Sequence, residues 1–108
     1  MENQEKPRSA VNAVVLRQHL PLLGPYVAPG TITEQKLAKI WCDSLGMDKV
    51  GIDDTYEDLG GDSLLAASIF IETEKVFGVA VPSRSLASDR TVRLLARRID
   101  TLVAKRMK

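Results

Sequence analysis

One serine of this chain stands where a hydroxyl could do chemistry. Ser63 follows two glycines and an aspartate and opens an apolar run, in the order Asp58-Leu59-Gly60-Gly61-Asp62-Ser63-Leu64-Leu65. The glycines admit positive-φ geometry and close approach by another surface. The apolar run is helix-forming, so the serine sits at a loop-to-helix junction. Three roles are open to it there. A nucleophile of hydrolysis needs a histidine base within hydrogen-bond reach and a carboxylate to orient that base. A helix cap needs only an oxygen that accepts from the first free amides, which Asp62 or Ser63 can supply. A bearer of a covalent phosphate ester gains from the free N–H groups and positive dipole of a helix start.

The hydrolytic role fails on chemistry. Gly61-Asp62-Ser63-Leu64 spells the name motif of the GDSL esterases, but that family's histidine lies near the C-terminus. The only histidine here is His19, upstream among prolines, and 108 residues are too few for that family's α/β domain. One histidine, one cysteine (Cys42) and scattered carboxylates build no metal site. The single cysteine also excludes an intrachain disulfide. It lies beside Trp41 in a helical pattern, as a small buried or half-buried apolar residue. No catalytic residue and no metal ligand is assigned.

The elements that must hold Ser63 are helical. A helix starts near Thr31 to Thr33, where Thr31 and Glu34 have capping-box spacing. Leu37, Ile40, Trp41 and Leu45 recur on one of its faces, and Gly46 is a stop. From Met47 to Asp62 runs a long loop, its apolar Val50, Ile52, Tyr56 and Leu59 available to pin it to a core. The second helix spans Ser63 to Phe77 and carries two apolar stripes. Ala66, Ile69, Phe70, Thr73 and Phe77 fall on one side, and Leu64, Ala67 and Ile71 on nearly the opposite side. A small bundle covers one stripe. The other is either covered by further chain or left for partners. Gly78 ends this helix, Val79 to Pro82 is extended, and Ser83 to Ala87 forms a short turn of helix. A last helix starts near Asp89 or Thr91, either able to cap it, with Val92, Leu95, Ile99 and Leu102 as its core face. The predicted fold is all-α: three main helices plus one short helix.

Residues 1–30 read as a Pro-rich margin, and residues 31–106 as the domain proper. Within the margin, Ser9 to Leu20 is predicted as a short helix capped by Ser9 and stopped by Pro21. The whole chain makes one small domain, 44% hydrophobic but only 5% aromatic, so its core must be aliphatic. Fifteen basic residues against fourteen acidic ones imply neither a nucleic-acid nor a membrane partner. The late basic cluster Arg93, Arg97, Arg98, Lys105, Arg106 and Lys108 reads as a solvated helix face. The acidic run Asp53, Asp54, Glu57, Asp58 and Asp62 reads as a solvated loop, the alternative being a surface for a basic enzyme. No segment has the apolar length of a membrane span, and the N-terminus lacks the pattern of a signal peptide, so a cytoplasmic monomer is expected.

Leu59-Gly60-Gly61-Asp62-Ser63-Leu64 resembles the prosthetic-group attachment motif of the acyl and peptidyl carrier proteins. Thr33 to Trp41 resembles that family's first helix and Val50 to Tyr56 its loop to the serine, a likeness covering roughly Thr31 to Val103. The paired glycines are closest to the peptidyl carrier (thiolation) domains of nonribosomal peptide synthetases. The resemblance implies that Ser63 receives 4'-phosphopantetheine from coenzyme A, with Asp62 and Gly61 beside it. The arm's thiol then holds an aminoacyl, peptidyl or acyl group as a thioester. It also implies that Leu64, Ala67 and Ile71 form a docking strip. The implied partners are a phosphopantetheinyl transferase, an adenylating or acyl-loading enzyme, and a downstream condensing or transferring enzyme. The implied protein is not itself an enzyme. Leu20-Pro21 and Tyr26-Val27-Ala28-Pro29 weakly resemble the tail of an adenylation domain, and an ordinary Pro-rich leader accounts for them equally well. Met1 and the charged tail favour a free-standing chain. The alternative function is a helical interaction module in which Ser63 is only a cap.

Overall fold

Each of the three main apolar periodicities becomes a helix: α1 Ile32–Leu45, α2 Ser63–Phe77 and α3 Val92–Arg106. Short 3-10 turns form at Arg17–His19 and Ser83–Ala87. The computed structural model describes residues 14–106, and among these no strand forms beyond an isolated bridge between Val15 and Met47. The helix ends follow local chemistry. Thr31 Oγ1 accepts from Glu34 N at 3.0 Å while Glu34 Oε1 accepts from Thr31 N at 3.1 Å, a reciprocal capping box. Gly46 (φ 69°) and Gly78 (φ 71°) close α1 and α2 in the left-handed conformation that glycine adopts without a Cβ penalty. At α3 the cap is Thr91, whose Oγ1 accepts from Leu94 N at 3.2 Å. Asp89, the other candidate, pairs with Arg98 instead.

α1 packs against both α2 and α3. Leu37, Ile40 and Trp41 of α1 meet Ile69 and Phe70 of α2 and Val92, Leu95 and Ile99 of α3 in one buried cluster. Complete burial of such a side chain is worth about 1.5–3 kcal/mol relative to exposure. Thr73, also buried on α2, satisfies its hydroxyl by donating to Ile69 O at 2.7 Å. Cys42 is half-buried on α1, and desolvation raises its thiol pKa above the ordinary value.

Two expectations are corrected. The helix predicted over Ser9 to Leu20 lies partly outside the described residues, and from Val14 onward it does not form. Val15 N donates to Gly46 O at 2.8 Å and Asp48 N donates to Val15 O at 3.1 Å, so this backbone pairs with the chain after α1. Only the Arg17–His19 turn is helical. Long-range pairing here outweighs a local pattern of few apolar residues. Of the late basic residues, Lys108 lies outside the described residues, and Arg93 and Arg106 do more than face solvent. Arg93 forks onto the Asp53 carboxylate at 2.7 and 2.8 Å, and Arg106 donates to Gly78 O at 2.7 Å. They tie α3 to the loop before α2 and to the end of α2.

Candidate functional site

The stretch leading to Ser63 is held by its own side chains. Val50, Ile52, Tyr56 and Leu59 are all buried. Leu59, Gly60 and Gly61 donate backbone bonds to Thr55, Glu57 and Tyr56 at 3.1, 3.0 and 3.1 Å, winding the chain tightly before the serine. The paired glycines have different reasons. Gly60 has φ +90°, a conformation that L side chains rarely adopt. Gly61 lies flat against Tyr56, and a Cβ there would overlap the aromatic ring.

Tyr56 also donates its phenol O–H to Asp62 O at 2.7 Å, and that same carbonyl accepts from Ala66 N at 3.0 Å as α2 begins. Burial raises the Tyr56 pKa, so the phenol remains a donor. Sequence alone shows Tyr56 only as an apolar anchor. No spacing rule predicts that its ring seats one glycine and its hydroxyl fixes the next peptide.

Of the two candidate caps, Asp62 performs the duty. Its Oδ1 accepts from Leu65 N at 2.9 Å, and its backbone is extended as a cap requires. Ser63 is therefore the first residue inside the helix. It is exposed, and no hydrogen bond engages its hydroxyl among the described residues. The backbone amides of Ser63 and Leu64 belong to the first turn and have no intrahelical acceptor. An anionic ester on Ser63 would thus meet unpaired N–H groups and the positive end of α2. Beside it, a cleft of about 470 Å³ opens between the start of α2 and the Ser83–Ala87 turn, lined among others by Tyr56, Gly61, Ser63, Ala66 and Leu86. Exposed hydroxyl, helix start and adjoining cleft suit a flexible phosphate-linked arm.

The second stripe of α2 is bare. Leu64 is 81% and Ile71 58% exposed, and Ala67 between them is exposed and borders the cleft. Ile69, Phe70 and Thr73 are buried, with Ala66 and Phe77 partly so. The stripes separate as the periodicity predicts, and burial of the helix all round is excluded.

The acidic run proves more structural than a solvated loop. Asp54 is buried and paired with Arg17. Asp53 is forked by Arg93, which holds its carboxyl below the ordinary range. Glu57 lies 3.4 Å from Arg90, and Asp62 is the cap. No three carboxylate, histidine or cysteine side chains gather as a metal site among the described residues.

Known proteins resemble most of this chain. The family model for a phosphopantetheine attachment site matches residues 35–99. The chain is 40% identical to a linear gramicidin synthase of Brevibacillus parabrevis over 77 residues, 71% of this chain and 2% of that protein. It is 43% identical to a chondramide synthase of Chondromyces crocatus over 79 residues, 73% of this chain and 2% of that one. It thus spans about 2% of the length of these curated relatives. In a solved complex of the phosphopantetheine transferase Sfp with coenzyme A and a peptidyl carrier protein, the matching chain has a TM-score of 0.68 and 34% identity; the match covers 70% of this chain and 99% of that one. A solution structure of an active-site mutant peptidyl carrier protein matches with a TM-score of 0.71 and 32% identity, covering 74% of this chain and 89% of that one.

The chain belongs to the phosphopantetheine-binding carrier family, with the fold and sequence likeness of its peptidyl carrier domains. Its cofactor is 4'-phosphopantetheine, held covalently, and its function is that of a carrier for thioester-bound intermediates.

Proposed function

We propose that Ser63 is the attachment residue and that the domain, without catalysing a reaction itself, carries an aminoacyl or peptidyl thioester between separate enzymes. The observation that bears most weight is the division of labour at the start of α2. Asp62 caps the helix through Leu65 N, which leaves the Ser63 hydroxyl exposed at the first helical position and, among the described residues, unengaged.

In the loading step, the Ser63 oxygen bonds to the phosphorus that carries the pantetheine arm of coenzyme A. The adenosine bisphosphate half departs, and the hydroxyl proton passes to the transferase. When bound, the arm supplies the thiol that forms the thioester. The chain's own residues do the rest. Tyr56 and Gly61 fix the peptide before the serine, Asp62 holds the helix start, and the amides of the first turn would face the phosphodiester. Leu64, Ala67 and Ile71 offer the strip on which a transferase, an adenylating or acyl-loading enzyme and a condensing or transferring enzyme dock in turn. Such contacts are weak, because the carrier must leave each enzyme for the next. Support for these partners comes from the solved transferase–carrier complex, and from a solved A-PCP structure complexed with phenylalanyl-adenylate whose chain is 26% identical to this one.

The test is direct. Incubated with coenzyme A and a broad-specificity transferase, the protein gains the mass of one phosphopantetheine on the peptide containing Ser63, and Ser63→Ala gains none. Absence of an adduct with several transferases, or an adduct that survives Ser63→Ala, would overturn the assignment.

A further inference from the structure

The leader and the loop before Ser63 meet through one buried ion pair. Arg17 is only 8% exposed. Its Nε donates to Asp54 Oδ2 and its second guanidinium nitrogen to Asp54 Oδ1, both at 2.6 Å. The same nitrogen also donates to Gly24 O at 3.2 Å. Asp54 Oδ2 in turn accepts from Gly51 N at 2.8 Å, closing the turn that Asp54 N completes to Gly51 O at 3.2 Å. A Cβ on Gly51 would lie 2.9 Å from that oxygen, so the carboxylate is seated directly on the glycine backbone.

Further bonds fasten the leader to the same loop. Arg17 N donates to Asp48 Oδ1 at 2.8 Å, and Ile52 N donates to Val27 O at 3.0 Å. Tyr26 stacks beneath two cations, Arg17 at 5.4 Å and Lys49 at 4.4 Å from its ring centre. Residues 15–27 are thus a strap across the loop, and they precede the stretch 35–99 that the family model matches.

We propose that Arg17 is a positioning residue for the modification of Ser63, acting through the Asp54 turn and Tyr56. The connection is continuous along the chain. Arg17 neutralises and orients Asp54, Asp54 closes the turn at Gly51, and two residues further Tyr56 leaves that turn to seat Gly61 and hold Asp62 O. Ser63 is the next residue. Without Arg17, a buried carboxylate keeps a single backbone donor. It must then open the turn to reach water. An opened turn releases Tyr56 and with it the fixed approach to the serine. Misplacement of a reacting oxygen lowers the rate of a transfer even when the partner still docks. The strip on α2 is remote in sequence from the strap and keeps its form, so the loss falls on kcat rather than KM.

This inference rests on Ser63 being the attachment residue, and the experiment separates the two claims. Wild type, Arg17→Ala, Arg17→Lys and Leu102→Ala are compared at a temperature where circular dichroism shows all to be folded. Leu102, half-buried on α3, serves as a control that weakens the bundle away from the strap. Arg17→Ala is expected to lower kcat for loading by about tenfold with KM nearly unchanged, and to speed amide exchange at residues 51–62 while α1 and α3 keep their protection. Arg17→Lys recovers part of the rate, because one ammonium cannot fork both carboxylate oxygens. Leu102→Ala loads at the wild-type rate. Should Arg17→Ala not fold, Arg17→Lys alone decides, by a lowered kcat and faster exchange at residues 51–62. A wild-type kcat in the Arg17 variants, or an equal loss in Leu102→Ala, would overturn the proposal. If wild type itself gains no phosphopantetheine on Ser63, the attachment claim falls and the proposal with it. The exchange data would then report only whether Arg17 orders the loop.

Discussion

The chain on the two sides of Ser63 is built on opposite principles. Before the serine, residues 48–62 have no regular structure, yet they are pinned by four buried apolar side chains, a buried ion pair and a tyrosine seated on a glycine. After it, α2 is regular and capped at both ends, yet it leaves Leu64, Ala67 and Ile71 to solvent. The irregular half is therefore the closely fitted one, and the regular half holds the open surface. Regular backbone satisfies its own hydrogen bonds and can spare a face. A loop satisfies its polar groups only by recruiting neighbours. On the proposed function this places rigidity where a hydroxyl is aimed and accessibility where partner enzymes would land.

Substitutions on either side test this contrast. The largest effect is expected from Gly61→Ala, which drives a methyl into the Tyr56 ring. It should cost about 2–3 kcal/mol in urea unfolding, as overpacking does, and a cost near zero would show that the loop yields easily. Asp62→Ala sits at the junction and should cost about 1 kcal/mol, as the loss of a helix cap does. A negligible loss would mean that the Ser63 hydroxyl can take over the cap, and that it is less disengaged than its geometry indicates. The smallest stability change belongs to Ile71→Asp on the open face, within about 0.5 kcal/mol, together with slower loading by the transferase at low carrier concentration. A cooperative loss of stability there would place Ile71 in the core and end the contrast.

Much of this was legible in the residues. The Thr31/Glu34 capping box, the glycine stops and the two stripes of α2 are local signals, carried within one or two helical turns. The exposed serine was legible too, because a helix start after two glycines can be read from adjacent residues. What could not be read were partnerships across the chain. Asp54 and Arg17 are separated by 37 residues and Asp53 and Arg93 by 40. A row of charges does not say which of them will meet. The same blindness produced the predicted helix in the leader, where a local pattern stood against a backbone pairing to Gly46 and Asp48 that only the folded chain reveals. Tyr56 reads from sequence as an apolar anchor, but its hydroxyl bond to Asp62 O depends on the loop's path.

The sole tryptophan of the chain, Trp41, lies fully buried directly behind this loop. Its ring stands edge-on to Tyr56, with centroids 5.4 Å apart and planes at 77°, and its indole N–H has no hydrogen-bond partner among the described residues. The protein thus contains a single indole fluorophore, one aromatic ring removed from the backbone that presents Ser63. Its emission wavelength reports the polarity around a group that now sits dry. Any event that lifts Tyr56 from Gly61 and admits water would register as a red shift, without a label and in real time. A loosening of the strap that frees Tyr56 can therefore be followed by colour in one cuvette.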